Sequence, residues 1–541
     1  MSKKLRIVLA QLDLLVGDIQ GNLAKLIGAA KSARDELSAD IIVFPELSIT
    51  GYPPEDLLLR KTFLNAATES LYEFKEQVQD IYCVVGHPYA TEQGLFNACS
   101  VIHNGAILGR YAKQHLPNYG VFDEDRYFTP GATTCVVPIA GVPVGIIICE
   151  DLWFDFPVKQ AVKQGAHLIL APNASPYEIN KHEERLLMLT KRCSTNNVPI
   201  VYTNCVGGQD ELVFDGGSMV VDSSGKICQH AGFFNEVLLP IDIEMMSTHV
   251  KMIATPTIIL PSKEEQIYQA LITGLRDYVQ KNHFPGVLVG VSGGIDSALT
   301  LAIAVDALGK NKVKAILMPS RYTAEISMED ALILVNKLNV AHEIISIEPT
   351  LTSLQTSLTS TLLTEETGIT QQNMQARCRG IILMAISNQT GHIVLSTSNR
   401  SEVAVGYATL YGDMVGGLAL LKDVPKTVVY RLANHRNQIQ QIIPQRIINR
   451  APTAELAPNQ KDEDSLPAYS ILDKILELYL DKELGVAEIV AQGFELETVE
   501  HVVALIHRSE YKRRQAPIGI RINHRAFGRD RRYPITSGFK E

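Results

Sequence analysis

No Cys-x-x-Cys pair and no Cys/His spacing of a zinc site occurs among the 541 residues, although the chain has eight cysteines. Scattered thiols in a chain this long read as free, which points to a reducing cytoplasm and away from a disulfide scaffold or structural zinc. Positive charge is not in excess. The formal net charge is −9, which argues against a nucleic-acid partner held by phosphate neutralisation. No apolar run reaches membrane-spanning length, so no membrane partner is expected. Met-Ser-Lys-Lys-Leu-Arg leads into a short strand rather than a signal peptide. What is present is a globular composition, 46% hydrophobic and 20% charged, over a length that calls for two domains or more.

One stretch organises the rest. Leu288-Val289-Gly290-Val291 reads as a buried strand, breaks into Ser292-Gly293-Gly294-Ile295-Asp296-Ser297, and gives way to the helix-like Ala298-Leu299-Thr300-Leu301-Ala302. Strand, glycine turn and helix start together make an anion site, because backbone N–H groups and the helix dipole converge on it. The Gly-Lys-Ser/Thr that closes a Walker loop is missing. Ser-Gly-Gly-x-Asp-Ser instead resembles the pyrophosphate loop of the N-type ATP pyrophosphatases. That resemblance implies ATP contacts at Gly290, Ser292, Gly293, Gly294, Ile295, Asp296 and Ser297, and Mg²⁺ on Asp296.

Upstream, three apolar strands end at chemically active side chains. Ile41-Ile42-Val43-Phe44-Pro45 runs into Glu46, the segment from Ile107 delivers Lys113, and Val142 to Ile148 ends at Cys149. Singly, these are a loop carboxylate, a solvent-facing lysine and a small buried thiol. Together, Phe44-Pro45-Glu46-Leu47, Tyr111-x-Lys113-x-His115-Leu116 and Ile148-Cys149-Glu150-Asp151 resemble the carbon–nitrogen hydrolase (nitrilase) superfamily. The resemblance implies an αββα sandwich, with Cys149 as nucleophile, Glu46 as general base and acid, and Lys113 as the cation near the developing oxyanion. The chemistry agrees: a lysine lowers a thiol pKa and stabilises charge on a carbonyl oxygen, while a carboxylate moves protons to ammonia and from water. Tyr119, Glu150, Ser175 and Arg185 sit where related glutaminase domains contact glutamine, and Arg185 suits an α-carboxylate, or else pairs helices. Cys193 and Cys205 read as core thiols. Thr50 to Leu59 resembles the segment that follows the catalytic glutamate in glutaminases joined to NAD⁺ synthetases.

Two prolines, Pro256 and Pro261, bracket a short β-branched run that cannot hold a helix. This places a glutaminase domain at 1–255, a linker at 256–263 and a second domain at 264–541, with a helix from Lys263 facing Ile267, Ala270, Leu271, Leu275 and Tyr278 inward. Beyond the glycine loop, strands and helices alternate: Val313–Pro319, Glu325–Leu338, Glu343–Ile347, Gln372–Asn388 and His392–Ser396. That alternation predicts a doubly wound, Rossmann-like parallel sheet with ligands at the strand carboxyl ends.

Asn373 and Arg377 share a helix face, and Arg379 points elsewhere. Asn373-Met374-Gln375-Ala376-Arg377-Cys378-Arg379 resembles the Asn-x-x-Ala-Arg-x-Arg signature of NAD⁺ synthetases, implying that Asn373 and Arg377 contact the dinucleotide substrate and ATP. Ser396 to Glu402 fits a capping box on Asn399. The resemblance also makes Thr397 an ATP contact and Glu402 a second Mg²⁺ ligand beside Asp296, as a hard cation bridging phosphates requires. Asn399 stands where family members often carry aspartate. Asp413 in Tyr-Gly-Asp, Lys426 at a helix start and Lys512 in the basic tail match further deamido-NAD⁺ or phosphate contacts of the family. The stretch from Ala451 to Asp464 reads as a mobile lid. The tail carries ten Lys/Arg from Arg508 to Lys540 against three Asp/Glu through Glu541. Alone it would suit nucleic acid, but the chain's negative total speaks against that.

The order of motifs resembles the glutamine-dependent NAD⁺ synthetase family. This implies glutamine, ATP and deamido-NAD⁺ as substrates, Mg²⁺ as cofactor, an internal ammonia channel from Cys149 to the Ser292 loop, and a homo-oligomer. Other pyrophosphatase amidotransferases, and an amidase with a nucleotide-sensing domain, are the alternatives.

Overall fold

The computed structural model describes residues 3–246, 249–254, 260–361, 368–458 and 460–539. Residues 256–259 of the expected linker, Asn459 in the expected lid, and Lys540 and Glu541 of the tail lie outside these. The chain divides into two compact units, Met1–Pro261 and Ser262–Glu541.

In the first unit two mixed sheets stack. One has seven strands, with Lys3–Gln11 between Val237–Met245 and Ile41–Val43, and runs out through Tyr82–Thr91 and Gly94–His103 to Ala106–Ala112. The other has six, with Leu168–Asn173 and Ile200–Asn204 parallel at its centre. The period-two pattern decides the layers. Ile7, Leu9, Ile41, Val43 and Val84 pack inward against Val144, Ile146, Leu168 and Leu170 of the second sheet. Their neighbours Val8, Ala10, Ile42, Phe44 and Val85 face the other way, onto the helices Ile19–Asp35 and Lys61–Gln77. Asp155–Lys163 and Lys181–Asn196 contribute Val158, Ala161 and Leu189 against the second sheet. The result is the αββα sandwich. Central strands buried on both faces read as continuous apolar runs, which is why Ile41–Val43 carries no polar residue. All eight cysteines are buried and none is in a disulfide, Cys193 and Cys205 among them.

The second unit holds a five-stranded parallel sheet. In chain order its strands are Val287–Gly290, Val313–Leu317, Ala341–Ile344, Ile393–Ser396 and Leu418–Ala419, and in space they run third, second, first, fourth, fifth. Leu288, Ile316 and Val394 pack beneath the helix Ile369–Thr390 through Met374, Cys378 and Leu383, and the helix Ile295–Leu308 packs against the first two strands. The helix expected at 325–338 spans Glu325–Leu338. Tyr278, expected to face inward from the helix Lys263–Lys281, is only half-buried, and Val279 fills the core position instead. Strand order reverses between Val287–Gly290 and Ile393–Ser396. A crevice opens outside the strand ends at such a switch point, which is where a ligand belongs.

Candidate active sites

In the first unit Glu46 follows the strand Ile41–Val43, Lys113 follows Ala106–Ala112, and Cys149 opens the tight turn Cys149–Trp153. Lys113 Nζ lies 2.7 Å from Glu46 Oε1 and 2.8 Å from Glu124 Oε1, with the lysine and Glu46 side chains sealed from solvent. The Ala174 N–H, just past the strand Leu168–Asn173, donates to Glu46 Oε2 at 3.0 Å and also acts on the Cys149 sulfur. Cys149 has φ 43°, in the left-handed region that a side chain rarely adopts, and such residues gather at active sites. A shared carboxylate explains the surrounding motif residues. Asp151, two beyond the cysteine, accepts from the Tyr111 hydroxyl at 2.8 Å, from the His115 N–H at 2.8 Å and from the Gln114 N–H at 3.2 Å. It thereby pins the lysine segment to the cysteine turn.

The electrostatics correct one expectation. Burial and Glu46 push the Cys149 thiol well up, and Lys113 and the Ala174 N–H do not outweigh them. In the free site Cys149 is therefore a thiol rather than a thiolate. Burial also opposes the Lys113 ammonium, but Glu124 and Glu46 hold it charged.

Glu124 is the residue that sequence reasoning missed. Burial pushes it up to about 7 against the pull of Lys113, and the Tyr52 hydroxyl donates to it at 2.8 Å. It opens the short 3-10 turn Glu124–Arg126 instead of ending an apolar strand, so the pattern that marked the other three is absent. Tyr52 lies in the Thr50–Leu59 run, whose resemblance to the segment after the catalytic glutamate was the one local signal near this group.

Of the expected glutamine contacts, Tyr119 is exposed and its hydroxyl donates to both oxygens of Glu150, at 3.1 and 3.0 Å. Arg185 is fully buried, and all three of its nitrogens are engaged within the protein. Nη1 donates to both oxygens of Asp215, Nε to Ser175 Oγ, and Nη2 to the carbonyls of Ser175 and Pro176. It braces the Ser175 segment.

In the second unit a cavity of about 270 Å³ opens at the switch point. Ser292, Gly294, Asp296, Ser297 and Thr397 line it, with Gly290 and Ile295. Ser292 and Ser297 hydroxyls lie 3.2 Å apart, and Ser297 Oγ donates to the Gly294 carbonyl at 3.0 Å, so the loop is shaped before any ligand arrives. Gly293 does not line the cavity. It has φ +82°, and a Cβ there would stand 2.3 Å from the Ser327 carbonyl oxygen, so only glycine fits.

Lys426 Nζ sits 2.5 Å from Asp296 Oδ2 and 3.2 Å from Glu402 Oε1. Burial opposes its charge, but Asp296 and Glu402 hold it above the usual lysine range. Burial pushes Glu402 up, with Lys426 opposing. Asn399 is both a helix cap and a neighbour of this cluster: it completes a capping box with Glu402, and its Nδ2 donates to Asp296 Oδ1 at 2.9 Å. Asp413 lines the same cavity and is pushed up to about 6 by burial.

Arg379, set aside as pointing elsewhere, lines the cavity, whereas Asn373 and Arg377 do not. Those two hold the loop beyond the helix Arg400–Val405: the Thr409 hydroxyl donates to Asn373 Oδ1 at 2.7 Å, and Arg377 Nε donates to the Leu410 carbonyl at 3.2 Å. Helical spacing put Asn373 and Arg377 together correctly but could not say which face meets the ligand. Lys512 is also outside the cavity lining, its ammonium donating at 2.8 Å to the carbonyls of Gly406 and Ala408. The expected lid lies along the cavity through Ala451, Thr453, Glu455 and Asp462 and is tied down, with Ser327 Oγ donating to Glu455 and Gln375 to the Leu456 carbonyl at 2.9 Å.

Among the described residues no helix is long and apolar enough to cross a membrane. The carbon-nitrogen hydrolase family model matches residues 6–249, and the NAD synthase family model matches residues 267–516. A glutamine-dependent NAD(+) synthetase of Acinetobacter baylyi is 46% identical over 541 residues, covering 99% of each chain. One from Xanthomonas campestris pv. campestris is 47% identical over 543 residues, covering 99% of this chain and 98% of its own. The solved glutamine-dependent NAD+ synthetase of Acinetobacter baumannii, in complex with adenosine diphosphate, matches with a TM-score of 0.81 at 43% identity, over 98% of each chain. Identity at this level over the full length of both chains shows that this protein belongs to the glutamine-dependent NAD+ synthetase family.

Proposed function

We propose that the chain releases ammonia from glutamine at Cys149 and uses ATP to amidate deamido-NAD⁺ to NAD⁺, leaving glutamate, AMP and pyrophosphate. The observation that carries this reading is the pairing in one chain of the buried Glu46–Lys113–Cys149 centre with the Ser292–Ser297 loop at a switch point. Residues 1–255 act as the glutaminase and 264–541 as the synthetase. A different pyrophosphatase amidotransferase, or an amidase with a sensor domain, accounts for only part of that pairing.

The first half-reaction follows from the site. The Cys149 sulfur attacks the side-chain amide carbon as Glu46 takes its proton, which suits a thiol that burial keeps protonated. Glu46 returns that proton to the departing nitrogen, and ammonia leaves a γ-glutamyl thioester. Water, deprotonated by Glu46, then releases glutamate and restores the thiol. Lys113 stays charged throughout and faces the negative charge that grows on the carbonyl oxygen. Glu150 and Tyr119, at the rim, are placed for the α-ammonium of glutamine, with Ser175 beside them.

In the second half-reaction the nicotinate carboxylate attacks the α-phosphorus of ATP and pyrophosphate leaves. Ammonia then attacks the acyl adenylate, and AMP departs. The Ser292, Gly294 and Ser297 groups and the start of Ile295–Leu308 face the phosphates, and Thr397, Asp413, Arg379 and Lys426 furnish the rest of the cavity. Asn373, Arg377 and Lys512 shape the dinucleotide side by holding the 406–410 backbone. Asp296 and Glu402 fit magnesium, because their oxygens already converge on one cationic point, the Lys426 ammonium. Among the described residues no group of three metal-binding side chains occurs, so phosphate and water oxygens would complete the coordination. Bound there, the ion would neutralise charge on the leaving pyrophosphate. Ammonia in bulk water would become ammonium, which has no lone pair, so we place it in an internal channel between the two centres. We also place the protein in the cytoplasm as a homo-oligomer.

Cys149→Ala tests the assignment. With ATP and deamido-NAD⁺ it should form NAD⁺ from ammonia and none from glutamine; normal glutamine use would remove the nucleophile, and no AMP from either nitrogen source would remove the synthetase.

A further inference from the structure

Asn97, on the strand Gly94–His103, touches both sides of the glutaminase centre. Its carbonyl accepts the Lys113 N–H at 2.9 Å and so sets where the lysine leaves its strand. Its side-chain Nδ2 donates to Glu46 Oε1 at 2.6 Å and, at 3.4 Å, to Glu124 Oε2. The residue is 1% exposed, and its Oδ1 is buried without a hydrogen-bond partner. Nothing else in the pocket therefore selects the amide's orientation. Turned over, it would set its carbonyl oxygen against Glu46.

Two glutamates share one ammonium. If both ionise, the buried centre carries one negative charge more than Lys113 balances, which a low-dielectric site resists. The donors are not divided evenly. Glu46 accepts from Lys113, closely from Asn97, and from the Ala174 N–H. Glu124 accepts from Lys113 and Tyr52, both on Oε1, and only distantly from Asn97. Hydrogen bonds to the charged form are what favour it. The other ionisable groups facing Glu46 are Cys149, Glu150, Cys99 and Tyr52; none of them supplies a donor to it, the Tyr52 hydroxyl donating to Glu124 instead.

We propose that Asn97 is a positioning residue that keeps Glu46, rather than Glu124, as the ionised member of the pair and aims it at the Cys149 thiol. This rests on the glutaminase reading given above. With Asn97 in place the base is already charged when glutamine arrives, and the extra proton resides on Glu124. Without it the proton is shared, and part of the enzyme starts each turnover with its base blocked.

The full chain carrying Asn97→Leu, or the shape-preserving Asn97→Asp, tests this. Glutamine-dependent and ammonia-dependent NAD⁺ formation are followed from acid to alkaline pH. Both variants should lose glutamine-dependent kcat by about 10- to 100-fold with the glutamine KM nearly unchanged. The acid limb of that profile should move to higher pH by about one unit, while the ammonia-dependent rate stays at the wild-type level. If Asn97→Leu does not fold, Asn97→Asp alone decides. An unmoved acid limb, or a loss confined to KM, overturns the proposal. Cys149→Ala run alongside keeps the two readings apart: if it still uses glutamine the glutaminase assignment fails, and if only the Asn97 variants behave as wild type this inference alone fails.

Discussion

Arg185 donates through Nη1 to both carboxylate oxygens of Asp215, at 2.8 and 2.9 Å, with both side chains buried. Burial opposes the arginine's charge, and Asp215 more than restores it, so the guanidinium stays protonated far above ordinary pH. Removing one partner leaves the other as an uncompensated buried charge. Asp215→Ala should therefore destabilise the first unit by about 3–5 kcal/mol, while Arg185→Met with Asp215→Leu should cost less than the two single changes added together. Urea unfolding followed through Trp153, the chain's single tryptophan, reports on this unit. Additive costs would show that the pair is not coupled.

Glu124 gives the same unit a pH-dependent stability. Its folded carboxyl holds a proton up to about 7 because it is buried, whereas the unfolded chain gives that proton up in the usual carboxylate range. The raised pKa means a contribution fully present below that range and lost as pH rises through about 7. Glu124→Gln cannot lose a proton there. Relative to wild type it should gain up to about 3 kcal/mol between pH 5 and pH 8, read from the same Trp153 transition at several pH values. A constant gap across that window would mean Glu124 does not titrate in the folded state.

Asn399 sets the charge of the nucleotide site. Its Nδ2 donates to Asp296 Oδ1 at 2.9 Å while its Oδ1 caps the helix Arg400–Val405. Asn399→Asp keeps the cap, which aspartate makes as well, but turns a donor into a second anion against Asp296. Among the described residues, Lys426 is the cation ion-paired with Asp296 and Glu402, and it would face the newcomer as well. Without magnesium the variant should unfold more easily than wild type, by about 1 kcal/mol or more, and added Mg²⁺ should recover most of the loss. Thermal unfolding with and without Mg²⁺ measures both. Equal melting temperatures in the metal-free state would show that the position carries no electrostatic weight.

Much of the architecture could be read in advance because burial leaves a period. Helix Glu325–Leu338 and the alternation through Ile393–Ser396 follow apolar patterns that the solvent boundary enforces. Glu46, Lys113 and Cys149 could be found because each interrupts an apolar strand at its end. Glu124 and Asn97 could not. One lies in a loop without periodic neighbours, and the other is an amide in the middle of a buried strand that looks like any polar interruption. The Arg185–Asp215 pair was not legible for a related reason: the partner is thirty residues away and no local pattern joins the two.

By itself, then, the order of residues determined the elements, the two kinds of layer, and the strand-end positions of Glu46, Lys113 and Cys149 and of the Ser292–Ser297 turn. These depend on local sterics and on the alternation of apolar and polar side chains. Only the tertiary structure decided which carboxylates share the Lys113 ammonium, which arginine lines the cavity of the second unit, and which cations are already paired. Those questions depend on distances of about 3 Å between residues far apart in sequence, and electrostatic energies in a buried site change steeply over that range.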